Sequence, residues 1–360
     1  MILTFSLCYI PPREGKSNLA RVIAITNQKG GVGKTTTAVN LGASLAASEQ
    51  RTLIIDCDPQ ANTTSALGFP KDPARRTLYQ SLILGEPIER VVLDAQVEGL
   101  DLIPSDKNLV GAQIELMNVE NREYRLKSTI AGILAKYNYV LIDCAPSLDL
   151  LAVNALAAAD SVLVPIQCEF LALEGVAELL DTLMRLRRSI NPSLAIEGIL
   201  LTMYDDRTTL SKQVSADLRS FFGTQVFETV IPRNVRLAEA PSHGMPVMFY
   251  DIHSKGAESY IQLAKEVIEN AQKRIGQGIE RPDPRARDGA TAPPAVAAAA
   301  AAGAGVASRS APVATPAAVT SSDLPEPQPV EPSQPDAAEP VQQHEHNGSG
   351  NSDGGGSGAQ

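Results

Sequence analysis

The chain has 360 residues, no tryptophan, 4% aromatic residues and a formal net charge of -10. No run approaches the roughly 18 apolar residues of a membrane-spanning helix, which excludes a helical membrane protein. The acidity is uneven: residues 276–360 carry ten acidic and four basic side chains, a net -6, leaving -4 for residues 1–275. The total charge therefore excludes no nucleic-acid role, because only a local basic patch decides that.

Residues 1–20 hold an apolar decapeptide without a basic leader or a small-residue cleavage site, so they read as a short, flexible extension rather than a signal peptide. The first strand-like run is RVIAIT, from residue 21. It leads into the glycine loop KGGVGKTT, and then into a helix with Ala38, Leu41, Gly42 and Leu45 on one face. RTLIIDCD and LDLIPS follow as strands, then a helix through about residues 114–137, then the strand YVLIDCAPS. SVLVPIQC is followed by a helix near 174–190. IEGILLTMY is followed by a helix from about Leu210, VFETVIP reads as a further strand, and a last helix covers about 256–274. Apolar strands alternating with helices predict an α/β fold: one doubly wound, mostly parallel sheet with helices on both faces, over residues 21–275. From residue 276 onward Ala, Pro, Ser and Gly dominate, and too little apolar surface remains to offset the entropy of ordering, which predicts a disordered tail.

A glycine-rich loop between a strand and a helix is the context a phosphate-binding loop requires. Backbone N–H groups of Gly30, Gly31, Val32 and Gly33 close round phosphates, and the helix N-terminus adds partial positive charge. Lys34 reaches the β- and γ-phosphates, the Thr35 hydroxyl holds Mg²⁺, and Thr36 donates near the α-phosphate. Three strand-end aspartates supply the rest. Asp143 is assigned to Mg²⁺ through a water molecule, Asp58 to orienting the attacking water, and Asp56 to supporting the metal and the loop. For Asp56 and Asp58 the plainer alternative is a helix-capping role. The four cysteines, Cys8, Cys57, Cys144 and Cys168, show no metal-ligand spacing and fit a reducing, cytoplasmic setting.

The blocks KGGVGKTT, DCDPQANTTSALG, LIDCAPSL, PIQCEFLALEG, LLTMYDDRT and IPRNVRLAEAPSHG occur in that order. With them the chain strongly resembles the ParA/Soj chromosome- and plasmid-partitioning ATPases, a P-loop NTPase family with a deviant Walker A motif, over about residues 20–272. The resemblance implies a role for Lys29, a lysine that a lone nucleotide site does not need. In the family this signature lysine crosses an ATP-bound sandwich dimer to the partner's nucleotide. It further implies ATP and Mg²⁺ as cofactors, with adenine contacts at Met203, Pro232 and Asn234. Nonspecific DNA contacts fall on Arg207 and Arg236, with Lys212, Arg219, Arg233 and Lys255 as weaker members of the patch. For Arg207 and Arg236 a solvated or salt-bridged surface charge is the alternative. The implied partner is a ParB/Spo0J-type centromere-binding protein, and the implied location is the nucleoid. Ala145 and Asp149 depart from the family pattern, and the negative charge that Asp149 adds puts the switching kinetics, not the binding chemistry, in question. Competing readings are a membrane-cycling MinD-type ATPase, which needs a basic amphipathic C-terminal helix, an iron-protein-type reductase, and an ATPase that positions another cargo.

Overall fold

The computed structural model describes residues 20–169 and 172–276; the flexible extension expected over 1–20 lies outside them except for the buried Ala20, and the disordered tail expected over 276–360 lies outside them except for Gly276, which ends the last helix. Seven strands form one sheet: β1 (Arg21–Ile25), β2 (Thr52–Cys57), β3 (Leu93–Asp94), β4 (Leu100–Ile103), β5 (Tyr139–Cys144), β6 (Ser161–Gln167) and β7 (Ala195–Thr202). Their order is β3-β4-β2-β5-β1-β6-β7, parallel throughout except for the β3–β4 pair. The eleven α-helices among the described residues are α1 (Lys34–Ala47), α2 (Asn62–Ala66), α3 (Leu78–Leu82), α4 (Leu109–Glu115), α5 (Arg125–Ile130), α6 (Leu150–Ala158), α7 (Ala172–Ser189), α8 (Thr209–Phe222), α9 (Val235–Glu239), α10 (Val247–Tyr250) and α11 (Lys255–Gly276).

Alternate residues of each strand feed two cores. Val22, Ala24, Leu53, Ile55, Val140 and Ile142 face a layer built from α3 to α8. Ile23, Ile25, Ile54, Leu141 and Leu200 face α1 and α11. This two-sided burial is why the strands read as continuous apolar runs. Helix α1 is buried on nearly every side, because α11 lies over it with Ala257, Tyr260, Leu263, Ala264 and Val267. The Tyr260 hydroxyl shares a 3.1 Å hydrogen bond with Thr37. Each such fully buried large apolar side chain contributes about 1.5–3 kcal/mol.

Two expected elements differ. The helix expected through about 114–137 is broken into α4, α5 and single 3-10 turns at Leu116–Asn118, Arg122–Tyr124 and Leu134–Lys136. Asn121 takes a left-handed backbone (φ 54), and the Asn154 side-chain oxygen accepts the Leu126 N–H, so the chain restarts rather than continues. VFETVIP is no strand either. It meets β7 through the isolated bridge at Val226 and through the Phe227 and Ile231 N–H groups, which donate to the Ile199 and Leu201 carbonyls, and it meets Tyr204, just beyond β7, through a bridge at Pro232. Between them the N–H groups of Glu228 and Thr229 donate to the Glu266 carboxylate of α11, at 2.7 and 3.0 Å. A side chain, not a ladder, satisfies the middle of this segment.

Candidate functional site

The glycine loop leaves β1 at the carboxyl edge of the sheet, and neighbouring strands pin it. The Asn27 amide donates to the Pro165 carbonyl of β6 (2.8 Å), and its oxygen accepts the Lys29 N–H (2.9 Å). Thr202 of β7 donates to the Val32 carbonyl (2.9 Å). Gly31 and Gly33 sit at φ 74 and 91, where a Cβ is strongly disfavoured. Gly33 is the N-cap of α1, and no side chain bonds the cap position. The first-turn N–H groups of α1 are thus presented toward an anion.

The two lysines are placed differently. Lys34 is 7% exposed, and its ammonium donates to the Lys29 carbonyl at 3.1 Å across the loop. Burial lowers its pKa, opposed by the charges of Asp143, Cys144 and Asp58. The Lys29 side chain is half exposed, and its ammonium pairs with Glu169 at 2.7 Å, outside the loop. Gln167 bonds the other oxygen of Glu169.

Asp56 and Asp143 are register partners on β2 and β5, and neither has exposed surface. Asp143 Oδ2 accepts the hydroxyls of Thr35 (2.8 Å) and Thr63 (2.7 Å), whereas Oδ1 is buried without a partner. Burial pushes its pKa up to about 6; the Thr63 and Thr35 hydrogen bonds oppose this, Asp58 adds to it and Lys34 opposes it. Asp56 is pushed up to about 7, by burial and then by the charge of Asp143. Both Asp56 oxygens are engaged. Oδ1 accepts the Asp58 N–H (3.1 Å), and Oδ2 accepts the N–H and hydroxyl of Thr64 (2.9 and 2.7 Å). Asp56 therefore caps the first turn of α2, which is the plainer role allowed for it. Asp58 keeps 8% of its surface open and accepts the Gln60 N–H at 2.9 Å.

An orphaned carboxylate oxygen, the adjoining Thr35 hydroxyl, a buried ammonium and a glycine loop form a donor set that suits a phosphate-bound hard cation. Among the described residues no group of three or more His, Cys, Asp or Glu side chains could hold a metal. A cation here would take its remaining ligands from phosphate and water.

A family model described as an AAA domain matches residues 20–196. The chromosome partitioning protein ParA of Myxococcus xanthus is 49% identical over 263 residues, 73% of this chain and 93% of the relative. The sporulation initiation inhibitor protein Soj of Bacillus subtilis is 50% identical over 252 residues, 70% of this chain and 100% of the relative. This chain belongs to the ParA/Soj family. Among solved structures, cobyrinic acid a,c-diamide synthase from Mycobacterium smegmatis with bound ADP and magnesium superposes with a TM-score of 0.62 at 34% identity, covering 73% of this chain and 98% of that one. The P-loop NTPase fold expected from the sequence is thereby shown.

In this ParA/Soj chain the two expected DNA-contacting arginines both lie on the surface in carboxylate pairs. Arg207 clasps Asp205 through two nitrogens, at 2.9 and 2.8 Å, and holds that carboxyl down to about 2. Arg236 pairs with Glu239 (2.7 Å) and Asp251 (3.2 Å) over the Tyr250 ring. Their loops adjoin, since the Arg233 N–H donates to the Tyr204 carbonyl at 3.1 Å. Arg219 instead braces the carbonyls of Phe227 and Glu228. Met203 takes a left-handed backbone (φ 50) just after β7, close to Pro232 through the Tyr204 bridge. The Asn234 oxygen caps α9 by accepting the Arg236 N–H. A cleft of about 460 Å³ opens elsewhere, beside Thr35 and Thr36, between α1, α2 and the turn Ala240–His243.

Asp149, a departure from the family pattern, caps α6 by accepting the N–H groups of Leu151 and Ala152, and it also accepts from Gln113 and Ser147. The other departure, Ala145, is buried. Sequence reading missed Thr63, Thr64 and Glu169. Their partners lie 80, 8 and 140 residues away, and only the adjacent threonines after DCDPQ offered a signal.

Proposed function

We propose that the chain is an ATP-driven dimer switch for DNA partitioning. It binds ATP with Mg²⁺, dimerises face to face, coats duplex DNA without sequence preference, and hydrolyses ATP to ADP and phosphate. A ParB-type partner stimulates the hydrolysis and so moves a chromosome or plasmid. One observation carries this reading. Lys34 is buried inside its own loop, whereas the Lys29 side chain stands outside it, paired among the described residues with Glu169, where a second subunit can receive it.

The loop N–H groups and Lys34 hold the phosphates, and Thr35 and the unpartnered Asp143 Oδ1 hold the cation. When bound, Mg²⁺ neutralises charge on the β- and γ-phosphate oxygens. Asp58, at the mouth of the site, orients the attacking water and accepts its proton. Arg207 and Arg236 meet backbone phosphates. Their carboxylate pairs are solvent-screened and weak, so polyanionic DNA can compete for them. The chain then works in the cytoplasm on the nucleoid. A membrane-cycling role is disfavoured, because the apolar face of α11 is already spent on α1. No helix among the described residues is long and apolar enough to cross a membrane.

The test is binding to nonspecific duplex DNA with ATP or ADP at low and moderate salt. The wild type, Lys29→Ala and the Arg207→Ala/Arg236→Ala double variant are compared. The wild type is expected to bind only with ATP, and to weaken at least tenfold between about 50 and 200 mM salt. Lys29→Ala loses the ATP dependence, and the double variant loses binding. Equal binding by the double variant, or no effect of nucleotide, overturns the reading.

A further inference from the structure

Two adjacent threonines at the start of α2 reach two different strand ends. Thr64 bonds Asp56 on β2, and Thr63, with no exposed surface, bonds Asp143 on β5. Helix α2 begins only four residues after Asp58, and the Asp58 carbonyl accepts the Ala61 N–H at 2.9 Å. Ala61 itself takes the left-handed backbone (φ 56), a conformation a non-glycine residue holds only when its surroundings enforce it. Thr64 also accepts the Ser105 N–H, which fixes its end of α2 to the loop after β4. The Asp58 loop is therefore clamped at both ends.

Asp143 takes both of its hydroxyl hydrogen bonds on Oδ2, and Oδ1 is left unpartnered and buried. A carboxylate held by one hydroxyl can turn about its Cβ–Cγ bond; one held by two donors from different elements cannot do so without losing a charge-assisted bond. Thr35 belongs to α1 and Thr63 to α2, so the two fix the plane of the carboxylate between them. In the proposed function Thr35 also faces the cation, which leaves Thr63 as the donor with no other duty.

We propose that Thr63 is a positioning residue for the cation site: its hydroxyl fixes the Asp143 carboxylate so that Oδ1 faces the cation, and it ties the Asp58 loop to that carboxylate. The inference rests on the nucleotide-and-Mg²⁺ reading above. Outer partners that orient a metal-binding carboxylate are worth about 10–100-fold in metal affinity.

The test uses the full chain with Thr63→Val, which keeps the shape and removes the hydroxyl, and Thr63→Ser, which restores it. Mn²⁺ binding in the presence of ADP is followed by electron paramagnetic resonance. ADP affinity in chelator and the Mg²⁺ dependence of ATP hydrolysis are measured alongside. Thr63→Val is expected to weaken Mn²⁺ binding about tenfold or more and to raise the Mg²⁺ requirement similarly. Its cation-free ADP affinity should stay within about twofold of wild type, and Thr63→Ser should recover most of the loss. Unchanged Mn²⁺ affinity in Thr63→Val overturns the proposal. So does an equal loss of ADP affinity in chelator, or no recovery by Thr63→Ser, since each marks a merely structural hydroxyl. A wild type that binds no Mn²⁺ with ADP overturns the underlying cation reading itself, and is told apart because the failure then precedes any substitution.

Discussion

At Asp143 a carboxylate without exposed surface stands beside Asp56, with Lys34 and Asp58 as its other charged neighbours. An ordinary aspartate titrates near 3.8, whereas Asp143 is pushed to about 6 and Asp56 to about 7. Through that window the folded chain binds more protons than the unfolded one. These two groups therefore lower stability as pH rises from about 4 to about 7, and the full penalty stands above that. Asp143→Asn keeps an oxygen for Thr35 and Thr63 and removes the charge. It is expected to stabilise the chain at pH 8 by on the order of 2 kcal/mol, and by about half as much at pH 5. It should also abolish cation-dependent nucleotide binding. Thermal melts in chelator between pH 5 and 8 check the first expectation; a variant no more stable than wild type at pH 8 counts against it. The glycines and Lys34 of this site were legible in the sequence, because a phosphate loop is a local pattern. Thr63 was not, because its bond spans 80 residues.

Among the elements, six of the seven strands were legible, since burial on both faces writes them as unbroken apolar runs. The seventh, β3, has only two residues, too few to carry a pattern. VFETVIP shows the converse failure. Its β-branched and aromatic residues suit a strand, but tertiary partners overrode that preference. The Phe227 ring packs against Gly198 of β7, where an added Cβ would fall 2.4 Å from the ring. Both residues are part of the reason the segment lies where it does. Gly198→Ala is expected to destabilise the fold by about 1–3 kcal/mol through overpacking. Gly198→Ala/Phe227→Leu should recover part of that, as read from urea unfolding midpoints. Additive losses in the pair would show that the ring is not what the methyl group meets.

At the largest scale, the described fold is tied together at the strand ends opposite the phosphate loop. Glu197 of β7 is buried and receives Arg21 from the start of β1, Ser161 from the start of β6 and Arg274 from the last turns of α11. Removing it leaves two partly buried guanidinium groups without their counter-charge. Glu197→Ala should therefore cost on the order of 3 kcal/mol in global stability. ADP affinity of the folded fraction should not change, because the phosphate loop lies at the other end of the strands. Denaturant melts paired with nucleotide titrations check both halves. At the same scale, both borders of the sheet are closed to strand addition. One ends in the two residues of β3, and the other is flanked by the Val226-to-Pro232 segment, whose free amides are consumed by Glu266. Short or covered borders are how folded proteins avoid pairing edge to edge. Copies of the chain brought to high local concentration thus meet, among the described residues, no open strand edge on which a backbone ladder could grow, and crowding alone does not template their polymerisation.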